Sequence, residues 1–238
     1  MIDNVNPEDI LFIDIETVPV APEFDGLGTA MQQLWDKKTR ASREDGVSAA
    51  DVYEKAGIYA EFGKIICISA GFFNGPLFRL KSVYGDDEKS LLTEFAGMLS
   101  KWASRKDPYL CAHNGKEFDF PYLSRRMVIN RIRIPDILNS AGKKPWEIKH
   151  LDTMELWKFG EYRHFTSLAL LAEVFGIPTP KDDIDGSMVS TVYWKDRDTA
   201  RIVKYCEKDV LTVARVMMRF MGRETISDDR VESLTRLG

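Results

Sequence analysis

Leu11–Val18 has the sequence LFIDIETV, a run of apolar and β-branched residues that contains two carboxylates. This composition predicts a buried β-strand. Asp14 and Glu16 are two residues apart, so their side chains point to the same face of that strand. An ionised carboxylate that is buried without a partner costs several kcal/mol or takes up a proton. The pair therefore requires a counter-charge.

A divalent cation is one such counter-charge. Carboxylate oxygens at this spacing are typical ligands of Mg²⁺ and Mn²⁺, which prefer oxygen donors and leave positions open for phosphate. In the alternative interpretation, Asp14 lies at an exposed edge and Glu16 pairs with an arginine. The rest of the chain distinguishes between these two interpretations.

Composition predicts one α/β domain. The chain has 238 residues, 44% of them hydrophobic, which is enough for one full core. Because the formal net charge is −4, a nucleic-acid partner would be held by local basic patches and metal. Cys67, Cys111 and Cys206 are far apart in apolar runs, which predicts buried thiols in a reducing cytoplasm. The acidic N-terminus and the lack of a long apolar run predict a soluble protein that does not contact membranes.

The order of predicted elements gives the fold class. We expect a single domain over residues 1–238 with an inserted segment at about 19–62, which contains a helix at 31–43. Strands are predicted at 11–18, 64–73, 77–84 and 109–112, with a hairpin turn at Asn74-Gly75. Helices are predicted from 86–88 to about 104, near Pro121, and at 153–159, 167–175, 187–194 and 199–221. This order predicts a ribonuclease-H-like α/β fold, a mixed five-stranded sheet with three antiparallel strands and then parallel strands, flanked by helices.

The helix predicted at 199–221 carries a carboxylate on its apolar face. At about 100° per residue, Ile202, Cys206 and Val213 fall within roughly 60° of Asp209, so this side chain faces the core. Tyr205 lies one turn earlier on the same face, near enough to share a substrate or a water molecule with Asp209. A buried salt bridge to an arginine is the alternative role of Asp209.

Asp119 stands where the strand at 109–112 leads into the helix near Pro121. A carboxylate at a helix start commonly accepts hydrogen bonds from free N–H groups, and the same position suits a metal ligand. Asp152, before the helix at 153–159, is favoured as a simple N-cap. The basic pairs Arg125-Arg126 and Lys143-Lys144 are interpreted as solvated rather than as phosphate ligands.

Three motifs in this chain resemble those of the DEDD superfamily of exonucleases. They are Asp14–Thr17, then Asn114 together with Phe118–Leu123, and finally Tyr205–Asp209. The motifs are most similar to those of the proofreading domain of family B DNA polymerases. Tyr205 stands four residues before Asp209, which indicates the tyrosine subtype (DEDDy), since the histidine subtype would have His where this chain has Lys204.

The resemblance implies a site for two Mg²⁺ or Mn²⁺ ions. Asp14 would bridge the two ions, Glu16 and Asp209 would hold the ion that activates water, and Asp119 would support the second ion. Tyr205 would orient the attacking water. All five residues are therefore implied as catalytic, and the four carboxylates as metal ligands. Substrate contacts are implied for Thr17, Asn114 and Phe118. The alternative role of Asn114 is to form the turn with Gly115.

The implied activity is a stand-alone 3′-5′ exonuclease. It would remove nucleoside 5′-monophosphates from single-stranded or unpaired 3′ ends of DNA. Only a short segment follows Asp209, so we expect the protein to act alone or beside separate replication or repair proteins. The alternatives are an RNA 3′-end trimming exoribonuclease, a nucleotide phosphoesterase and, in a different class, a catalytically inactive nucleic-acid-binding scaffold domain. Retention of four carboxylates and the tyrosine argues against the inactive scaffold.

Overall fold

A mixed sheet lies at the centre of this computed structural model, which describes residues 2–163, 165–178 and 184–237. Within those ranges the strands are β1 (Ile10–Pro19), β2 (Gly63–Asn74), β3 (Leu77–Tyr84), β4 (Tyr109–Ala112), β5 (Leu151–Asp152) and β6 (Val231–Ser233). Their order across the sheet is β5-β4-β1-β2-β3-β6. The hairpin β2–β3 and the pair β1–β2 are antiparallel, and β4, β5 and β6 are parallel to the strands beside them. β1 therefore lies at the centre.

Helices cover both faces of the sheet. They are α1 (Thr29–Thr39), α2 (Glu88–Ala103), α3 (Asp119–Ile129), α4 (Thr153–Lys158), α5 (Leu168–Val174), α6 (Val189–Thr191) and α7 (Thr199–Phe220), with a π-helical turn at Val192–Asp196. α2 and α3 pack on one face, and α7 packs on the other with α5 against it. This confirms the predicted α/β fold class of a mixed sheet flanked by helices.

The faces of β1 follow its alternating side chains. Leu11, Ile13 and Ile15 belong to the core under α2 and α3, whereas Ile10 and Phe12 belong to the core under α7. Asp14 and Glu16 continue the second series, so they face α7. The strand thus delivers both carboxylates to the helix that carries Tyr205 and Asp209.

The sheet has one strand more than predicted within the described residues. β6 pairs in parallel with β3 through three residues, and its length and polarity explain why it has no strand signal in the sequence. The predicted helix at 187–194 is divided into α6 and the π-helical turn. None of the helices in the described ranges is long and apolar enough to span a membrane.

A bulge interrupts the pairing of β1 with β2. Glu16 is opposite Cys67 and Thr17 is opposite Ile65, so Ile66 is an extra residue on β2. Ile66 and Cys67 both contact the cluster that includes Cys206 of α7, whereas Ile65 packs on the opposite face. Regular pairing opposite Glu16 already places the Cys67 thiol on the face of Glu16, and the bulge adds Ile66 to that same face.

Residues 19–62 pack around a buried tryptophan beside the end of β1. The indole Nε1 of Trp35 donates to the carbonyl oxygen of Ala49 (2.9 Å), and Tyr53 and Phe62 pack against its ring. The hydroxyl of Tyr122 in α3 donates to the carbonyl oxygen of Gly57 (2.7 Å), which ties this segment to α3. Its description as an insertion into a single domain stays a prediction.

Candidate active site

Asp14 and Glu16 are positioned by the most buried strand of the sheet. Glu16 is only 7% exposed and Asp14 is partly exposed. One carboxylate oxygen from each lies within 4.8 Å of the other and of the Cys206 sulfur. Three potential ligand atoms from two elements, β1 and α7, therefore converge on one point.

α7 supplies Tyr205 and Asp209 because it lies unusually close to the sheet. A Cβ added to Gly71 of β2 would be 2.7 Å from Cγ1 of Val210, so only glycine permits this approach. Val210 follows Asp209 directly, and the close contact holds that carboxylate over β1. The hydroxyl of Tyr205 hydrogen-bonds to the Asp209 carboxylate, and the negative charges of Asp209, Glu16 and Asp14 join burial in raising its pKa. Tyr205 is therefore a neutral donor beside the carboxylates.

Asp119 joins the same cluster from the first residue of α3. It is 4% exposed, and its carboxylate accepts hydrogen bonds from its own N–H and from the backbone N–H of Ile15, between Asp14 and Glu16. Burial and the charges of Asp152 and Asp209 raise its pKa to about 7 despite these hydrogen bonds. The Ile15 contact directs the side chain toward β1, as a site ligand requires.

The electrostatics of the cluster fit a bound cation. Burial raises the pKa of Asp14, and the charges of Glu16, Asp209 and Asp119 raise it further. Burial and the charges of Asp209 and Asp119 do the same for Glu16. Asp14 and Glu16 place carboxylate oxygens within 4.8 Å of each other, and Asp119 and Asp209 are near enough to repel them. Such a set of oxygen donors fits a divalent cation, because the charge of the cation would reverse each of these shifts.

Two buried thiols form the floor of the site, and sequence reasoning missed their position. The Cys206 thiol donates to Oδ2 of Asp14 (3.2 Å) and hydrogen-bonds with Cys67. All three cysteines are free and buried in the described structure. The sequence position of Cys206, between Tyr205 and Asp209, is the signal that could have predicted a thiol at the site.

Asn114 lies at the rim of a cavity beside the cluster. It adopts a left-handed backbone conformation (φ 62°), and its N–H donates to Oδ1 of Asp152 (2.9 Å). Asp152 also accepts from the N–H groups of Lys116, Met154 and Glu155, which confirms its predicted role as the N-cap of α4. The cavity measures about 430 Å³ and is lined by Asn114, Asp152 and Tyr162 among others.

Thr17 and Phe118 lie on the α3 side of β1. The Thr17 hydroxyl hydrogen-bonds with the Tyr122 hydroxyl, and the partly exposed Phe118 ring packs 5.3 Å from the ring of Tyr122. Both are therefore separated from Asp14 and Glu16 by the strand itself, and their contact with substrate stays a prediction.

Arg126 has a structural role. Its guanidinium is buried in an ion pair with Glu88 (2.5 Å) and donates to the carbonyl oxygen of Ala60 (2.8 Å). It is therefore not available to phosphate, and the interpretation of Arg125-Arg126 as a solvated pair is wrong for Arg126.

Comparison with known sequences assigns the chain to a family. Residues 58–236 match a family described as "Predicted 3'-5' exonuclease related to the exonuclease domain of PolB". The chain belongs to this family. The match includes Asp119, Tyr205 and Asp209 but begins after β1, so the contribution of Asp14 and Glu16 rests on the geometry above. A search of curated proteins finds no match.

Comparison with solved structures supports the fold. The chain resembles the family B DNA polymerase of the hyperthermophilic archaeon Pyrobaculum calidifontis, with a TM-score of 0.55 and 16% sequence identity. The similarity covers 90% of this chain and 25% of the polymerase, so the chain spans about a quarter of that protein. The ribonuclease-H-like fold and the relation to a PolB exonuclease, both predicted from the sequence, are confirmed.

Proposed function

We propose that this protein is a metal-dependent 3′-5′ exonuclease that hydrolyses the last phosphodiester bond of single-stranded or unpaired DNA 3′ ends. The observation that carries the proposal is the convergence of Asp14, Glu16, Asp119 and Asp209, with Tyr205 hydrogen-bonded to Asp209. Such a cluster of buried and partly buried carboxylates is destabilising without a cation, so its presence in an exonuclease family points to catalysis.

The four carboxylates would hold two Mg²⁺ or Mn²⁺ ions. When bound, such ions supply an activated water and stabilise the charge on the leaving 3′ oxygen. Asp14 is central in this assignment, because Glu16, Asp209 and Asp119 all act on its pKa. Glu16 and Asp209 would hold one ion and Asp119 would support the other.

Tyr205 would orient the attacking water. Because its pKa is raised, the hydroxyl keeps its proton at neutral pH and can donate to one oxygen while accepting from another. Its hydrogen bond to Asp209 holds the ring over the carboxylates. The role proposed for Tyr205 is positioning rather than proton abstraction.

DNA is the proposed polymer, and the product would be a nucleoside 5′-monophosphate. With a net charge of −4, the protein would hold the strand through the 3′ terminus and the metal site rather than through a broad cationic surface. The free buried thiols support the cytoplasmic location inferred from the sequence. Separate replication or repair proteins are the proposed partners in the cell.

The deciding experiment offers matched 5′-labelled DNA and RNA strands with Mg²⁺ or Mn²⁺ and follows the products on a gel. We expect a ladder that shortens from the 3′ end of DNA, which stops when the 3′ hydroxyl is replaced by phosphate. Asp14→Asn should produce no ladder, and Asp107→Asn, an exposed carboxylate at the far end of β4, should behave as wild type.

Each other outcome selects a different function. A ladder on RNA alone would replace the proposal with RNA 3′-end trimming. Strand binding without hydrolysis under every metal condition would replace it with a non-catalytic scaffold, particularly if binding shows no preference for a free 3′ end.

A further inference from the structure

Three exposed aromatic rings occur in the loop between α4 and α5. Phe159 is 83% exposed, Tyr162 is 94% exposed and Phe165 is 68% exposed. We call these three residues the aromatic loop. Solvent-exposed rings at this density gain nothing from burial in the folded chain. Their position therefore requires another explanation.

The backbone of the aromatic loop is strained at its first residue. Phe159 has φ 44° and ψ 38°, a left-handed conformation that is costly for a bulky side chain. Gly160 follows with φ 89°, so the helix α4 ends here and the chain changes direction. A strained conformation that displays an exposed ring is typical of functional loops.

His113 fixes the far end of the aromatic loop beside the candidate active site. Nε2 of His113 lies 2.9 Å from the carbonyl oxygen of Thr166 and must donate to it, so in the neutral ring Nδ1 accepts from the Thr153 hydroxyl (2.9 Å). His113 immediately precedes Asn114. Phe165 therefore directly precedes Thr166, which His113 holds at the carboxyl end of β4.

Tyr162, Asn114 and Asp152 line the same cavity. Asp152 holds the N–H of Asn114 and its charge acts on Asp119. Asn114 also accepts a hydrogen bond from the N–H of Phe118 (3.0 Å), the residue before Asp119. The cavity therefore borders the segment that carries this candidate ligand. A strand whose last nucleotide occupies the proposed site for the 3′ terminus would leave along this cavity.

The charges around the cavity favour stacking over phosphate binding. Lys116 pairs with Glu155, and Glu117 and Glu161 also line the cavity, so its charge is not positive. Nζ of Lys158 lies 4.6 Å from the centre of the Phe165 ring, which supports that ring from one side. The rings rather than the charges offer the attractive surface.

We propose that the aromatic loop binds single-stranded nucleic acid by stacking on the bases that precede the 3′-terminal nucleotide. Every base has a π-face, so such a platform holds a strand of any sequence. The proposal rests on the exonuclease function proposed above and adds to it a second contact region, away from the reacting phosphate. Stacking on the aromatic loop would make the enzyme prefer strands of several nucleotides to phosphate esters of a single nucleoside.

The test compares a strand of about twelve nucleotides with thymidine 5′-p-nitrophenyl phosphate, which has no preceding base. For Tyr162→Ala and Phe165→Ala we expect KM for the strand to rise roughly 5- to 100-fold relative to KM for the ester. Tyr162→Phe should retain wild-type values because it keeps the ring. Trp146→Ala is the matched control, because Trp146 is also strongly exposed (77%) but lies outside the aromatic loop. It precedes β5 in the segment that Lys149 joins to Asp107, at the start of β4.

A binding measurement separates this proposal from the function itself. In the Asp14→Asn background, the fluorescence of a strand with 2-aminopurine a few nucleotides from its 3′ end should be quenched on binding. Tyr162→Ala and Phe165→Ala should reduce this quenching. The stacking proposal would be overturned if the alanine variants raised KM equally for the ester and the strand. Unchanged strand binding in both alanine variants would also overturn it. Failure of wild type to cleave either substrate, with quenching intact, would overturn only the exonuclease function.

Discussion

The thiol of Cys206 lies 3.2 Å from Oδ2 of Asp14 and donates a hydrogen bond to it. Cys67, opposite Glu16 in the sheet, hydrogen-bonds with Cys206 in turn. The carboxylate cluster thus has sulfur atoms directly beside it. Sulfur ligands favour thiophilic cations over Mg²⁺.

The first prediction concerns that thiol. Cd²⁺ should inhibit Mg²⁺-supported hydrolysis, because it can displace the Cys206 proton and bind sulfur together with Asp14 and Glu16. Cys206→Ser should retain hydrolysis with Mg²⁺ and require roughly 10- to 100-fold more Cd²⁺ for half inhibition. Titration followed by the ultraviolet thiolate-to-cadmium absorption checks this. Cys111→Ser is the control and should keep the wild-type sensitivity to Cd²⁺, since Cys111 lies in the core under α7.

The second prediction concerns charge repulsion. In chelator, Asp14→Asn should raise the free energy of unfolding by about 1 to 3 kcal/mol, because it removes one buried negative charge from the cluster. Activity should fall below a few per cent of wild type. Thermal unfolding with and without Mg²⁺ measures the change in stability, since Mg²⁺ should stabilise wild type far more than the variant. Hydrolysis of a 5′-labelled strand measures the activity. A variant less stable than wild type in chelator would contradict the assignment.

The third prediction is the pH dependence of stability without metal. The pKa of Asp119 is raised from 3.8 to about 7 in the folded protein. Between these values the folded state binds more protons than the unfolded state, so its contribution to stability is greatest below pH 4 and is lost as pH rises through 7. Denaturation in chelator at several pH values should therefore show a shallower decline for Asp119→Asn than for wild type. The same slope in both proteins would place the titration elsewhere.

The fourth prediction isolates the Tyr205 hydroxyl. Tyr205→Phe keeps the ring and removes the donor to Asp209, so kcat should fall by roughly 10²- to 10⁴-fold with little change in strand affinity. Tyr109→Phe is the control, because its hydroxyl donates to Asp107 at the opposite end of β4. Wild-type turnover in Tyr205→Phe would leave Tyr205 with a packing role only.

The fifth prediction tests the approach of α7 to the sheet. Gly71→Ala would place Cβ 2.5 Å from the Phe78 ring and 2.7 Å from Val210, so we expect a loss of about 1 to 3 kcal/mol in stability and a lower kcat. Gly97→Ala is matched to it, since an added Cβ there meets no described atom within 4 Å and Gly97 is on the exposed side of α2. That change should stabilise by up to about 1 kcal/mol. Urea denaturation of both variants makes the comparison.

Elements with strong periodicity could be predicted from the sequence. The alternation in β1 places Asp14 and Glu16 on one face, and the apolar stripe of α7 places Asp209 toward the core. Both signals depend on local side-chain patterns that burial enforces. The helix start at Asp119 was also correct in position, although its carboxylate bonds to the N–H of Ile15 rather than capping the helix alone.

Features that depend on contacts distant in sequence could not be predicted. The bulge at Ile66 changes the face of later β2 residues, and period-two reasoning cannot locate such an insertion. The place of β6 is fixed by Glu207 of α7, which accepts hydrogen bonds from Ser82 (2.9 Å), Ser233 (3.1 Å) and Thr235. The position of the aromatic loop likewise depends on His113, some fifty residues earlier.

The sixth strand also determines how this sheet meets other protein chains. β3 would otherwise present its outer backbone N–H and C=O groups to solvent, and β6 covers them at residues 78–80 while the N–H of Leu234 donates to the carbonyl oxygen of Leu80 (2.8 Å). An uncovered strand edge is a template for pairing with another copy. Removal of residues 231–237 would therefore open that edge, and self-association through β3 would follow even with every catalytic side chain in place.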